Sequence, residues 1–262
     1  MIVTILGLGE AGSALAADLI ESGITVNAWD PEPKQVPPGV NLAPNDQAAI
    51  NGANLILSVN LASVAAEVAR SALPVLTRDQ LYADLNTASP GKKQEIAEIL
   101  HPSGVLFADV ALLAPVPGRG LRTPALVSGP GARQFHNLLA PYGMPVRVLD
   151  DQAGSAAGRK LVRSIFMKGI AAVVIECLEA AARLDCETWT REQILAVIRN
   201  EALLDRFITG SRTHAARRIH EMQAATQLLA EIHATPYMTQ ATVQWLMELE
   251  RNRQDLRQDL PN

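Results

Sequence analysis

Gly7-Leu8-Gly9-Glu10-Ala11-Gly12 restricts the fold of this chain more than any other segment, because of what flanks it. A β-branched run, Ile2 to Leu6, leads into the glycines. A stretch of helical character, Glu10 to Glu21, leads out, and a second strand, Ile24 to Trp29, follows at once. Each glycine then has its own physical task. Gly7 permits a tight turn, Gly9 lets backbone approach a pyrophosphate with no Cβ in the way, and Gly12 allows helix to pack closely on strand. Unpaired N–H groups in the first helical turn favour a diphosphate. The pattern implies a β-α-β unit that holds a dinucleotide, with Leu8, Glu10 and Ala11 lending backbone between the glycines. A plain glycine turn is the competing reading, and the flanking strand and helix weigh against it.

The second strand ends in Asp30, eighteen residues after Gly12. A carboxylate there is placed to accept hydrogen bonds from the adenosine ribose hydroxyls. A 2′-phosphate would meet the like charges of Asp30 and Glu32, with Lys34 the only cation between Asp30 and Asn41. That balance favours NAD over NADP. Two later strand ends are also expected to face the cofactor, since ligands gather at the carboxyl ends of parallel strands. One is Ser58-Val59-Asn60-Leu61, and the other is Asp84-Leu85-Asn86-Thr87. For Asn86 and Thr87, capping of the helix that starts near Ser89-Pro90 is a rival role.

The first half continues the strand–helix alternation. Strands are expected at Asn54 to Val59, Leu81 to Leu85, Val105 to Asp109, Ala125 to Ser128 and Val146 to Leu149. Helices are expected at Ala62 to Ser71, Pro90 to Leu100 and Ala132 to Leu139. The pattern predicts an α/β fold, a doubly wound, mostly parallel Rossmann sheet covered on both faces. It ends near Asp150. From Gln152 on no strand pattern appears, and helices are expected at Gln152 to Leu184, Arg191 to Asn200, Ser211 to His233 and Thr239 to Leu256. Residues 1–150 therefore read as an NAD(P)-binding Rossmann domain. Residues 151–262 read as an all-helical substrate and dimerisation domain, with a polar end from Arg251 to Asn262 expected to fray.

Bulk composition excludes several partners. With 48% apolar and 19% charged residues in 262, a sizeable core is available. A net charge of -4 gives no reason to expect nucleic acid, and no apolar run approaches a membrane span. Cys177 and Cys186 form no disulfide framework and lack metal-ligand spacing, so they are expected to be buried or half-buried thiols with no metal. The first strand begins at Ile2 and leaves no room for a signal core, which points to the reducing cytoplasm.

The chemistry is expected on the long helix. Lys160, Ser164 and Lys168 are four residues apart, and each step of four turns a helix by about forty degrees, so they form one stripe. The rest of that helix is apolar, including Ile165, Phe166, Ile170 and Val173. Lysines there must face a cavity, a ligand, a carboxylate or water, because burying an unpaired ammonium is costly. A lysine in a dry cleft has a lowered pKa, which suits proton transfer. A solvated helix edge is the plainer reading. A second cluster, His214, Arg217, Arg218 and Glu221, shares a face by spacings of three and four. It reads either as an anion clamp or as a salt-bridged surface.

Taken together, these motifs resemble the β-hydroxyacid dehydrogenase superfamily, which includes 6-phosphogluconate and 3-hydroxyisobutyrate dehydrogenases. Gly7, Gly9 and Gly12 match its cofactor loop. Asp84-Leu-Asn-Thr-Ala-Ser-Pro90 resembles its D-x-S-T-x-x-P segment, with Asn86 where serine is usual. Phe107-Ala-Asp109-Val resembles the strand opening its substrate loop, but Leu113-Ala-Pro-Val-Pro-Gly118 stands where S-G-G is usual. Gly154-Ser-Ala-Ala-Gly-Arg-Lys160 resembles its G-x-x-x-x-x-K motif, which puts the family's catalytic lysine at Lys160. Ser164 stands where an asparagine helps hold substrate. The sequence around Lys168 and His214 is similar to a less studied branch, with a distinct C-terminal helical domain of mostly unassigned function.

The resemblance implies hydride transfer between nicotinamide and a small hydroxy acid, phosphorylated or not, or its keto form. Lys160 would pass the proton and Ser164 would orient the same oxygen. Lys168, with His214 or Arg217, would hold an anionic group, and Asn86 would contact substrate or cofactor. Two other readings stay open: an imine reductase, which a cationic Lys160 disfavours, and a dinucleotide-binding sensor without turnover. The apolar helix and the resemblance imply a homodimer.

Overall fold

The structure, a computed structural model, describes residues 1–33 and 35–258, the last four of these as backbone only. Lys34, the cation expected beside Asp30, lies outside the described residues. The chain divides into two compact units, Met1–Lys160 and the part from Leu161 onward.

The first unit is built on eight strands: β1 (Ile2–Leu6), β2 (Thr25–Trp29), β3 (Asn41–Leu42), β4 (Leu55–Ser58), β5 (Leu81–Asp84), β6 (Leu106–Leu112), β7 (Ala125–Ser128) and β8 (Val146–Val148). They form one sheet in the order β3-β2-β1-β4-β5-β6-β7-β8, parallel except where β6 meets β7. All residues of β4 and β5 are buried, as a strand covered on both faces requires. One face packs under α1 (Glu10–Glu21) and α5 (Ala132–Leu139), through Leu15, Leu19, Phe135 and Leu139. The other packs under α2 (Asp46–Ile50), α3 (Ala65–Ala72) and α4 (Pro90–Leu100), through Ile50, Ala69, Ile96 and Leu100. β3 and α2 have no counterpart in the sequence expectation. Both are shorter than the window over which hydrophobic periodicity is legible.

Chain order reverses between β1 and β4, which is where an open α/β sheet leaves a crevice beyond its strand ends. The ends of β1, β4 and β5 all open there.

The second unit is helical. α6 (Ser155–Arg183) begins in the first unit and continues into the second, where α7 (Glu187–Ile198), α8 (Glu201–Thr213), α9 (Ala215–Glu231) and α10 (Tyr237–Gln258) follow. Ala171, Val174 and Leu178 of α6 pack with Leu204 and Phe207 of α8, while Leu161 packs with Ala225 and Leu228 of α9. The backbone of α10 is helical to Gln258, and residues 259–262, the rest of the end expected to fray, lie outside the described residues.

Three expectations are corrected here. The helix expected from Ser211 to His233 is two helices, broken at His214, which closes α8 and opens α9 with φ −118 and ψ 30. Gly210, Ser211 and Thr213 are weak helix formers, and the Ser211 hydroxyl bonds back to the Phe207 carbonyl at 2.7 Å. His214 therefore does not share one helix face with Arg217, Arg218 and Glu221. Secondly, no helix was expected over Glu201–Gly210, the main part of α8. Thirdly, Cys177 is exposed rather than buried or half-buried, and only Cys186 is half-buried. The same outward side of α6 carries Val162, Phe166 and Val173, each more than half exposed. The apolar run Ile165 to Ile175 is thus buried on one side only within the chain. No helix among the described residues is long and apolar enough to cross a membrane.

Candidate functional site

The glycine loop has the geometry its sequence implies. Gly7 sits at φ +111, and a Cβ on it would collide with the Val59 carbonyl of the neighbouring β4 end. A Cβ on Gly12 would collide with the Gly7 carbonyl. Gly9 differs: its φ of −68 is open to any residue, and a Cβ there would meet nothing within 4 Å. The fold does not require glycine at position 9, and the space above it is free for a ligand. No side chain caps α1, so its first-turn amides face the same space. Asp30 reaches the loop directly. One carboxylate oxygen accepts the Leu8 N–H at 2.7 Å and the other accepts the Glu32 N–H at 2.8 Å. Each oxygen keeps a lone pair for a ribose hydroxyl. This free space and this donor set fit a dinucleotide diphosphate and its ribose.

The next two strand ends are bound to each other. Asn86 donates from its amide to Ser58 Oγ at 3.2 Å and to Asp84 Oδ1, and its own oxygen accepts the Asn60 N–H at 2.7 Å. Asn60 also donates to Ser58 Oγ at 3.0 Å. Asn86 is thus a brace between β4 and β5, and Ser89, not Asn86 or Thr87, caps α4 by accepting the Lys92 N–H. Thr87 is placed differently. Its Oγ1 accepts a hydrogen bond from Lys160 Nζ at 2.7 Å. Lys160, Thr87 and Asn86 surround one small gap with Ala88, Asp109 and Ala157, too tight to admit a water molecule. The lysine of the G-x-x-x-x-x-K segment is therefore presented at the carboxyl end of β5. The glycines of that segment allow it: Gly154 lies at φ +98, and a Cβ on it would press into Pro90 at the start of α4.

Behind this gap lies a feature that sequence reasoning missed. Register pairs Ser58 with Asp84, Asp84 with Asp109, and Asp109 with Ser128. A polar row thus crosses four strands inside the sheet, every member 0% exposed. Buried Lys93, projecting from α4, supplies the cation. Its Nζ lies 2.5 Å from Asp84 Oδ2, 2.9 Å from the Asp84 carbonyl and 3.3 Å from Asp109 Oδ1. Burial pushes the Lys93 pKa down, but Asp84 and then Asp109 outweigh it, and the net direction is upward. Asp109 Oδ2 also accepts the amides of Gly154 at 3.1 Å and Ala157 at 3.0 Å, where the start of α6 favours negative charge. The only sequence signal was two strand-end aspartates with an adjacent Lys92-Lys93 pair, one of which a helical wheel turns inward.

In the helical unit, Glu221 on α9 gathers two residues of the α6 stripe. Its Oε1 accepts Ser164 Oγ at 2.5 Å and Lys168 Nζ at 2.8 Å. The stripe does not run along a solvated edge: Ser164 is buried and the Lys168 side chain is 16% exposed. Burial lowers the Lys168 pKa; Glu221 opposes the shift, and Arg218 and Arg163 add to it. Arg218 is half-buried and donates to Ser211 Oγ, while His214 and Arg217 are exposed. Lys168 thus has a carboxylate partner within its own unit.

The strand order, the glycine loop at its reversal point and the Asp30 carboxylate define a Rossmann domain that binds a nicotinamide dinucleotide. Residues 2–120 match the family model described as the NAD binding domain of 6-phosphogluconate dehydrogenase. Residues 181–249 match one described as a domain of unknown function, DUF1932. The two matches lie in one chain, the first in its N-terminal part and the second in its C-terminal part. An uncharacterized 28.5 kDa protein of Methanothermus fervidus is 24% identical, over 95% of this chain and 99% of that one. Among solved structures, a conserved protein of unknown function, described as structurally similar to 3-hydroxyacid dehydrogenases, is 25% identical with a TM-score of 0.76. The match covers 97% of this chain and 98% of that one. A Mycobacterium tuberculosis 3-hydroxyisobutyrate dehydrogenase, solved with L-serine, shares the fold at a TM-score of 0.81 and 16% identity. There the match covers 96% of this chain and 94% of the other. The fold is that of the hydroxyacid dehydrogenases and reductases that bind NAD(P).

Proposed function

We propose that this protein is an NAD(P)-dependent oxidoreductase that interconverts a small hydroxy acid and its keto form, with Lys160 as the acid–base group. The observation that carries this reading is Lys160 Nζ, held 2.7 Å from Thr87 Oγ1 beyond the carboxyl end of β5. The bound dinucleotide supplies the hydride acceptor or donor at its nicotinamide ring. As the neutral amine, Lys160 takes the hydroxyl proton when the alcohol is oxidised, and as the ammonium it gives a proton to the carbonyl oxygen in reduction. Thr87 orients the amine by accepting one of its N–H groups. Gly7, Gly9 and Gly12, the amides of Leu8, Glu10 and Ala11, Asp30, and the strand ends at Ser58, Val59, Asn60 and Asn86 hold the cofactor. NAD is preferred over NADP, because the carboxylates of Asp30 and Glu32 repel a 2′-phosphate.

Ser164 is assigned to orient the substrate oxygen, and Lys168, His214 and Arg217 to the substrate's anionic group. Lys168, Arg217 and Arg218 bring positive charge to the surroundings of Glu221, which suits an anion. We also assign a homodimer, in which the exposed stripe of Val162, Phe166 and Val173 packs against a second copy.

The test is a screen of small hydroxy acids with NAD and with NADP, followed by Lys160→Met. That variant is expected to lose about 10²–10⁴ in turnover while its dinucleotide affinity stays nearly intact. An equal loss of turnover and of cofactor binding would contradict the role.

A further inference from the structure

We propose that the buried row Asp84–Lys93–Asp109–Ser128 is a positioning device for the Lys160 amine. The proposal rests on the acid–base role assigned to Lys160 above, and adds the residues that set where that amine stands.

Two routes lead from the row to Lys160. The first runs through the start of α6. Asp109 Oδ2 accepts the Gly154 and Ala157 amides, and Ser128 Oγ accepts the Ala156 amide at 3.0 Å while donating to Asp109 Oδ2 at 3.2 Å. Most helices are capped by the side chain of a residue just before them. Here that residue is Gly154, which has no side chain and no room for one against Pro90. The first turn of α6 is instead held by side chains of β6 and β7, and Lys160 follows less than two turns later.

The second route runs through the end of β5. Asp84 Oδ1 accepts the Asn86 amide, Asn86 accepts the Asn60 N–H, and the next residue, Thr87, accepts the Lys160 ammonium. Lys93 belongs to both routes, since its Nζ contacts Asp84 and Asp109 together. The lysine is therefore fixed at its backbone by one aspartate and at its amine by the loop that the other aspartate braces. Asp84, Lys93, Asp109 and Ser128 act through other residues on this view, and none needs to touch substrate.

The test reads the amine without any turnover. Full-length protein is treated with limiting acetic anhydride at one mildly alkaline pH, and acetylation of Lys160 is measured by mass spectrometry as a ratio to Lys92 in the same chain. Lys92 is a suitable reference because its side chain is 33% exposed and paired only locally with Glu95. Ser128→Ala is expected to change the Lys160-to-Lys92 ratio about fivefold, the effect of one lost hydrogen bond. Asp109→Asn is expected to change it further. Leu100→Ala, which opens a cavity in the core under α4, is expected to lower the melting temperature and leave the ratio unchanged. An unchanged ratio in folded Ser128→Ala overturns the proposal, whether or not Asp109→Asn folds. So does an equal change in Leu100→Ala. A failure of the acid–base reading shows separately, as full turnover in Lys160→Met.

Discussion

Replacing Lys93 with methionine isolates how much the first unit depends on its buried cation. Methionine nearly matches the volume of lysine, so the change removes charge without opening a large cavity. It leaves Asp84 and Asp109, both 0% exposed, without the ammonium that contacts each of them. Breaking a buried ion pair from one side costs about 3–5 kcal/mol, because the remaining charge is uncompensated. Asp109 keeps the α6 amides and Asp84 keeps only the Asn86 amide, so the loss falls mainly on Asp84. The Lys93 pKa is raised above its ordinary value of 10.5. Its contribution is therefore complete below that pH and is lost only as pH rises through the higher, folded-state value. Urea unfolding near neutrality, followed by circular dichroism, is the assay. It should show a lowered midpoint at an unchanged slope, and the deficit against wild type should shrink only on the strongly alkaline side. A loss below about 1 kcal/mol at neutral pH would refute the reasoning, since it would mean the carboxylates have other compensation.

The glycine loop offers a paired test. Gly9→Ala should keep or slightly raise stability, by about 0.4–1 kcal/mol, yet weaken dinucleotide binding in calorimetry; Gly12→Ala should lose stability as well, because its Cβ strikes the Gly7 carbonyl. Burial lowers the Lys168 pKa, so between that value and 10.5 the unfolded chain binds more protons and stability should rise with pH. Glu221→Gln removes the carboxylate that opposes the shift and should move the start of this rise to lower pH in a urea-midpoint series; a flat series in both proteins would contradict it. Phe166→Glu puts a charge in the exposed apolar stripe and should convert a dimer to a monomer in light scattering. A wild-type monomer at micromolar concentration would remove the assembly from the proposal.

The legible parts of this chain were those whose cause is local. Strand, glycine and helix are consecutive around Gly7, Gly9 and Gly12, so one window carries the whole argument, and the loop geometry agrees with it. The eight-stranded sheet was readable for the same reason, except β3 and α2, which are too short to show a period. The break at His214 was not readable. Arg217, Arg218 and Glu221 continue a helical spacing from His214, and only the back-bonded Ser211 and the weak formers around it end α8. Asn86 shows a different limit. Its residue type fits cofactor contact or capping, and nothing local announces the brace it also forms, because Ser58 Oγ and the Asn60 N–H lie 28 and 26 residues away at the end of another strand.

Lys93 is the clearest case of information that sequence order hides. Nothing local separates it from Lys92, yet Lys92 pairs with Glu95 at the surface while Lys93 is fully buried. The difference is one step of about a hundred degrees around α4, which turns one lysine to solvent and the next onto the polar row. A buried lysine is tolerable only where carboxylates already wait, and those arrive from β5 and β6, strands that become neighbours only on folding. Partner and burial are therefore decided together by the tertiary structure. The same holds for Lys160: its motif announces an amine on a helix, but its position is set by Thr87 on β5's loop and by β6 and β7 side chains at the start of α6. A glycine loop specifies its ligand through its own backbone, whereas an amine used for proton transfer depends on neighbours gathered from across the sheet.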